Sequence, residues 1–547
     1  MLTAAAAGSR HPTVVRGSII TMDRDCPRAQ AMAVVNGRVA AVGSVQVARD
    51  AAGAGAREVA FSEGAVIPGL IDTHNHMHWT GIQLGIVDLS GCSGIAGIQA
   101  AIRDYAAKNP DAQWIVSGSG WHVANLKEQR YPTRQELDAA CADRPVYLPR
   151  GGHAAAVNTA ALRIAGIGRD TPDPPGGKFE RDPVSGEPTG LLLEPPAFEP
   201  MGRLAPSISR DEQIAAMREI QKRYHAAGIT GIMDPGVTPE IMAIYQDLWA
   251  RGELSMRAVV MPLADSSRPA EEVLAGLAAW GVRTGFGDER LKIGGIKLYL
   301  DGGASLGTAL MREPFPDERC NCGIQVTSTD VFRRIAAFCA EHRWSLGVHV
   351  VGGRAIDIAL DVFGEVDRAH PIRDLRFCLI HAYLWPSPDN IARAHKLGVV
   401  VATQPSMQYT FGPLLVKRFG AVLMGKATPI RAWLDGGVLV GGGSDSPITP
   451  YSPLLGMWQA RTRRIEGHNE AIGREEAVSA EEALAMYTRD AAYVSFSERE
   501  RGILRPGMLA DWVALSVDPL ECDPEALRDA SVLATAVGGE LVHSLSQ

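Results

Sequence analysis

The chain has 547 residues, 46% hydrophobic and 21% charged, with Lys+Arg 54 against Asp+Glu 62 and a formal net charge of −8. This is an ordinary globular profile, long enough for several domains or for one barrel with additions. It excludes a basic nucleic-acid footprint, a membrane span of ~18 apolar residues and, with eight cysteines, a disulfide scaffold. Met1 to Arg10 has an alanine run but no basic leader and no full apolar core, so no secretory signal is read and a cytoplasmic protein is expected.

In chain order, Thr13–Met22, Ala31–Val35 and Arg38–Val42 read as strands, the last two joined by the turn pair Asn36–Gly37. The far end has the same texture at Asp511–Ser516 and Ala534–His543, with Gly538–Gly539 inside the second stretch. One small β-sandwich domain is expected from residues 1–66 plus 500–547. Between the ends, apolar runs close on small or polar residues at Val66–Asp72, Ile229–Asp234, Ile293–Leu300, Ser345–His349, Phe377–His381, Val399–Gln404 and Val438–Asp445. Helical patterns at Arg210–Ala227, Asp330–His342, Arg354–Phe363 and Asp389–Leu397 alternate with them. Such βα repetition predicts an α/β fold, a distorted (β/α)8 TIM barrel over 67–499. Residues ~80–210, rich in Pro and Gly, break the rhythm and read as a large insertion after the first barrel strand.

The strongest chemical signal is Asp72-Thr-His74-Asn-His76 at the end of an apolar run. Residues two apart on a strand point the same way, so His74 and His76 form a candidate metal pair. A surface loop with coincidental histidines is the bland alternative. His349, His381 and Asp445 also end apolar runs, where a barrel carries its chemistry, and the set together favours a metal site. Lys297 lies inside an apolar run, where a bare cation is costly. Either it snorkels or pairs with Asp301, or it is carbamylated by CO2 and bridges two metals. Cys320-Asn-Cys322 lacks a second pair at zinc-site spacing, and Arg461, Arg463 and Arg464 read as a solvated helix face or a subunit contact. Gly441–Gly443 lacks the Lys-Ser/Thr of a phosphate loop and reads as a tight strand-end turn beside Asp445.

Val66-Ile-Pro-Gly-Leu-Ile-Asp-Thr-His-Asn-His76 and Gly507-Met-Leu-Ala-Asp511-Trp-Val-Ala-Leu515 resemble signatures of the amidohydrolase superfamily. Gly152-His153 with Asn158, Gly186-Glu-Pro-Thr-Gly190, Lys297 with Asp301-Gly302, Thr308-Ala309, His349-Val-Val-Gly-Gly-Arg-Ala355, His381, Gln404-Pro405 and Gly443-Ser-Asp445 resemble amidohydrolase family 3. That branch includes N-substituted formamide deformylases. The resemblance implies a binuclear centre with His74 and His76 on one metal, His349 and His381 on the other, and carbamylated Lys297 as the bridge. Asp445 would be ligand and proton shuttle, and His153 would bind the substrate carbonyl. Its bland alternative is a structural loop histidine. The family often reads Gly-Asp-Arg-Ala where this chain has Gly352-Gly353-Arg354-Ala355, which leaves His349 intact and puts loop anchoring or substrate contact near Gly353 in question.

The expected function is a hydrolase of a C–N bond in an amide, N-formyl or N-acyl amine. Two divalent ions would lower the pKa of bound water, and the resulting hydroxide would attack the carbonyl while Asp445 moves the proton. Zinc is the default for this N/O ligand set, with Mn, Fe or Co admitted. Trp121, His122, Tyr299 and Gln404 are candidate pocket residues, with packing the alternative for each. A small-molecule amide-type substrate and a homo-oligomer are expected, with no nucleic-acid or membrane partner. The rival readings are a mononuclear aminohydrolase, which needs no bridging lysine, and a catalytically silent scaffold, which would have lost ligands.

Overall fold

The computed structural model describes residues 11–545 apart from 90, 119, 120, 122, 124, 125, 151–153, 175, 176, 194, 206, 207, 267, 306, 317–319 and 469. The chain divides into two compact units, Met1–Met77 with Gln221–Gln547, and His78–Ile220. Among the described residues no helix is long and apolar enough to cross a membrane.

In the first unit, strands from both chain ends pair in one eight-stranded sheet. Its order is Glu540–Ser544, Val532–Val537, Trp512–Leu515, Ala65–Pro68, Thr13–Ile20, Arg28–Val35 and Arg38–Gly43, with Arg57–Ala60 also on Thr13–Ile20. Alternation of side chains gives the sheet two apolar faces. Val15, Ile19, Met32, Val34, Val66, Trp512 and Ala534 share one core, and Val14, Ala31 and Ala33 pack against Ala48 and Ala52 of the helix Val45–Ala52. The strands expected as a sandwich thus form one continuous hydrogen-bonded ladder.

The remainder of this unit is parallel α/β. Its strands are β1 (Leu70–Asp72), β2 (Ile229–Val237), β3 (Arg257–Pro262), β4 (Ile296–Tyr299), β5 (Leu346–Val350), β6 (Cys378–His381), β7 (Val400–Thr403) and β8 (Val440–Gly442). One sheet runs β1-β2-β3 and then Leu291–Ile293; a second runs β4-β5-β6-β7-β8. Isolated parallel bridges, Leu263↔Lys297 and Asn75↔Ser446, link the residue after β3 to β4 and the segment after β1 to the segment after β8. Met233, Val259, Met261, Cys378, Ile380, Val400 and Ala402, drawn from both sheets, form one buried cluster. Each such side chain contributes about 1.5–3 kcal/mol when fully buried.

Helices follow most strands because their sequences switch to a 3.6-residue apolar period. In Gly353–Ala369 the buried set Ala355, Ile356, Ala359, Leu360, Val362, Phe363 and Val366 forms one face. Thr238, Ser328 and Ser387 each accept a backbone N–H at a helix start, worth about 1 kcal/mol apiece.

The second unit has a sheet of its own, ordered Lys178–Arg181, Pro188–Leu193, Ala154–Val157, Val146–Arg150 and Ile115–Val116. Its sheet and helices enclose apolar clusters around Ile98, Leu137 and Leu148, and around Tyr147, Phe179 and Leu192. The stretch that interrupts the βα rhythm is therefore folded around cores of its own.

Candidate metal centre

The C-terminal ends of β1, β4, β5, β6 and β8 bring His74, His76, Lys297, His349, His381 and Asp445 together. Lys297 and Tyr299 lie two apart on β4 and share a face, and Tyr299 is in register with His349. The ring centroids of His74 and His76 are 5.2 Å apart, those of His74 and His381 5.0 Å, and those of His349 and His381 4.5 Å. Asp445 Oδ1 lies 3.1 Å from His74 Nε2 and 3.2 Å from His76 Nε2. Among the described residues, His74, His76 and Asp445 offer three ligand atoms all within 4.8 Å of one another.

The outer nitrogens of two rings are held by neutral acceptors. His381 Nδ1 is 2.6 Å from Gln404 Oε1, and His349 Nε2 is 3.2 Å from the Gly302 carbonyl oxygen. Each bond places the ring proton on that nitrogen and leaves the other with a free lone pair. Burial lowers the pKa of His74 to about 4 and of His349 to about 3, with the Lys297 charge adding to both, and takes His381 well below the ordinary value. These three imidazoles are therefore neutral, the form that binds metal. For Asp445, burial pushes upward, but the hydrogen bonds of His74 and His76 and the electrostatic attraction of His74 and His381, which the paired carboxylate itself strengthens, outweigh it and hold it well below the usual carboxylate range.

Lys297 is fully buried, and its Nζ makes no hydrogen bond. The pairing with Asp301 admitted from the sequence is not formed, because Asp301 instead accepts backbone N–H groups of Leu310, Val351 and Gly352 at 2.8, 2.9 and 2.9 Å. Nζ stands 4.7 Å from the centroid of the Tyr299 ring. Burial brings the Lys297 pKa down to about 8. His74 Nδ1 is a second buried nitrogen with no hydrogen bond. Buried polar groups are ordinarily satisfied, and neutral imidazoles, a carboxylate and a free amine form a donor set that fits divalent metal.

The strand ends are locked from behind. Asp72 Oδ1 accepts from the backbone N–H of His74 and Ser444, at 3.1 and 3.0 Å, while its Oδ2 accepts from Asn75 Nδ2 and Ser444 Oγ, at 2.9 and 2.6 Å. One buried carboxylate thus ties β1 to β8. A Cβ at Gly443 would come within 2.8 Å of the His74 nitrogen, so glycine lets the two segments approach. His381 and Asp445 adopt φ of 70° and 58°, a left-handed conformation unusual for such residues and common at active sites.

Gly353 also has a structural reason. A Cβ there would lie 2.7 Å from Arg312 Nη1, whose guanidinium bonds the Asp357 carboxylate at 2.8 and 2.7 Å, the Trp385 carbonyl at 2.8 Å and Asn390 Oδ1 at 2.8 Å. The loop carrying Arg312 is thus anchored through Asp357, one helical turn after Gly353.

The remaining candidates are placed as follows. Gln404 stands behind His381, and Tyr299 lies beside His349, with centroids 5.2 Å apart. In the second unit Trp121 is buried, donates to the Pro149 carbonyl at 2.9 Å and packs edge-on to Tyr131. His122 and His153 lie outside the described residues. Arg463, expected on a solvated face, is fully buried and donates to the carbonyls of Thr428 and Ala427. Sequence reasoning quoted Asp72 and Asp234 only as parts of apolar runs and motifs, and took Asp301 only as a possible partner of Lys297. Asp234 closes an apolar run just as Asp445 does, so the same signal was available for it.

The family model described as amidohydrolase family matches residues 58–543. The chain is 31% identical to Protein LONG AFTER FAR-RED 3 of Arabidopsis thaliana, over 97% of this chain and 91% of that protein. It is 30% identical to N-substituted formamide deformylase of Arthrobacter pascens, over 96% of this chain and 97% of that one. The crystal structure of an uncharacterized metal-dependent hydrolase from Pyrococcus furiosus superposes with a TM-score of 0.73 and 25% identity, over 93% of this chain and 100% of its own.

Proposed function

The chain belongs to the amidohydrolase family, and from that premise we propose that it is a metal-dependent hydrolase cleaving the C–N bond of an amide, N-formyl or N-acyl amine. The observation that carries this is Lys297, a fully buried amine with no hydrogen bond beside four imidazoles and a carboxylate. The similarity to an N-substituted formamide deformylase supports the N-formyl class, and the Pyrococcus furiosus neighbour supports metal dependence. In this proposal β1–β8 close into a distorted (β/α)8 barrel, supported by the isolated bridges Leu263↔Lys297 and Asn75↔Ser446 and by a core shared between the sheets.

His74 and His76 would hold one ion and His349 and His381 the other, with Asp445 as a further ligand. The neutral fraction of Lys297, enlarged by its lowered pKa, would add Nζ to the carbon of CO2, with one C=O π pair moving onto oxygen and the amine proton passing to solvent. The resulting carbamate would offer the anionic oxygens that a two-ion centre needs. Divalent ions in this place supply Lewis acidity, which polarises a carbonyl and acidifies water. Asp445 Oδ1 takes the proton of the water that attacks the carbonyl carbon. It returns that proton to the nitrogen as the C–N bond breaks, acting first as general base and then as acid. Gln404 and the Gly302 carbonyl keep His381 and His349 in their rotamers and tautomers.

A mononuclear aminohydrolase is the second reading, favoured by the tight grouping of His74, His76 and Asp445 alone. Elemental analysis of protein grown with mixed divalent metals and bicarbonate separates the two. About two ions per chain, hydrolysis of N-formyl amines, and a fall to one ion or none in Lys297→Ala are expected. One ion in the parent would move Lys297 out of the centre, and none after reconstitution would sink the hydrolase.

A further inference from the structure

We propose that Asp234 and Tyr245 form a relay that orients His76 within the metal centre, Asp234 acting on the ring and Tyr245 on the carboxylate. The inference rests on the metal centre proposed above and adds two positioning residues to it. His76 presents Nε2 to Asp445 at 3.2 Å and Nδ1 to Asp234 Oδ1 at 3.8 Å, so its two nitrogens face two different carboxylates. Asp234 is buried near the end of β2, and the carbonyl of its neighbour Met233 accepts the Asn75 N–H at 2.9 Å, which fixes the His74–His76 segment against that strand. Tyr245, from the helix Pro239–Ala250, is fully buried and donates its only hydroxyl proton to Asp234 Oδ2 at 2.5 Å. That donation holds the carboxylate in place from behind and leaves Oδ1 turned toward the imidazole.

An imidazole that ligates through Nε2 carries its proton on Nδ1, and the acceptor of that proton sets ring orientation and donor strength. At 3.8 Å the Asp234 contact is electrostatic rather than a formed hydrogen bond, and with an ion on Nε2 it would favour the tautomer with the proton on the Asp234 side. His381 and His349 have neutral acceptors, an amide and a backbone carbonyl. His76 instead has a carboxylate facing its Nδ1. It is thus the ring whose donor strength the protein raises through charge, and Tyr245 keeps that charge from swinging away.

The test uses the full chain loaded with Co2+, read by chelator competition and by the visible absorption of the bound ion, with melting of the metal-free protein as the folding control. Asp234→Asn is expected to weaken Co2+ retention by about 10–100-fold and to shift the band. Tyr245→Phe is expected to weaken retention by a smaller factor, and the double variant to match Asp234→Asn alone because Tyr245 acts through Asp234. Parent-like retention and an unshifted band in Asp234→Asn, while His76→Ala loses metal, would overturn the relay and leave the metal centre standing. Unchanged retention in His76→Ala would instead overturn the centre itself. Additive losses in the double variant would remove Tyr245 from the relay. If Asp234→Asn does not fold, Tyr245→Phe alone decides, and an unshifted band in it counts against the relay.

Discussion

Asp445 sits in a left-handed backbone conformation, φ 58°, between two imidazole nitrogens. Its pKa is held below the ordinary carboxylate value, and in the proposed reaction this ionised carboxylate would be the group that accepts the proton. Asp445→Asn keeps the shape and one oxygen for a ligand but cannot accept and return a proton. Metal content is expected to stay near that of the parent while kcat falls by about 10²–10⁴-fold, the usual weight of general acid–base catalysis. Titration of bound metal alongside steady-state kinetics checks both halves. Equal losses of metal and of turnover would make Asp445 a ligand without a proton role.

At the scale of elements, the loop after β4 is fastened to the helix Gly353–Ala369 by Arg312, which fills the space that a side chain at 353 would need. Gly353→Ala is therefore expected to cost about 1–3 kcal/mol in urea unfolding, the range for overpacking a filled site. The same substitution in an Arg312→Ala background should cost much less. The βα rhythm was legible because each strand is a short apolar run, and the helices Arg210–Ala226, Thr329–Glu341 and Pro388–Leu397 fall within a residue of their sequence patterns. β3 was not read: Arg257–Pro262 ends on proline and carries no polar residue at its C-terminal end, so it lacked the mark that revealed its neighbours. The histidines of the candidate centre stood out in the sequence because they lie at or just past the ends of apolar runs. Of their supporting partners, Gln404 was singled out only as a pocket residue and Gly302 only as part of a motif, while Tyr245 was not read, because such partners are chosen by three-dimensional proximity, which no local pattern encodes.

For the whole molecule, the buried ion pair between Arg257 on β3 and Asp511, just ahead of the terminal-sheet strand Trp512–Leu515, joins two cores of one unit. Its contacts are 2.6 and 2.9 Å, and Asp511 also accepts the Gly538 N–H at 2.7 Å. Removing one partner leaves the other charge buried, so Asp511→Ala is expected to destabilise by about 3–5 kcal/mol in denaturant melts. For Asp511, burial acts upward but Arg257 and Arg501 outweigh it, so its folded pKa lies below the unfolded value of about 3.9. The stabilisation is then complete above that value and is lost as pH falls through the lower folded one. Acid melts of the parent should carry this component, and those of Asp511→Asn should lack it.

The terminal sheet imposes an order on biosynthesis. Ala65–Pro68 has Thr13–Ile20 as one neighbour, but its other neighbour, Trp512–Leu515, lies more than four hundred residues later in the chain. At about 5–20 residues per second, a ribosome leaves that strand edge open for roughly 20–90 seconds. An unpaired edge is a template for pairing with another chain. That strand edge stays open for most of synthesis, and a chain lacking its final forty residues is expected to keep it open and to aggregate.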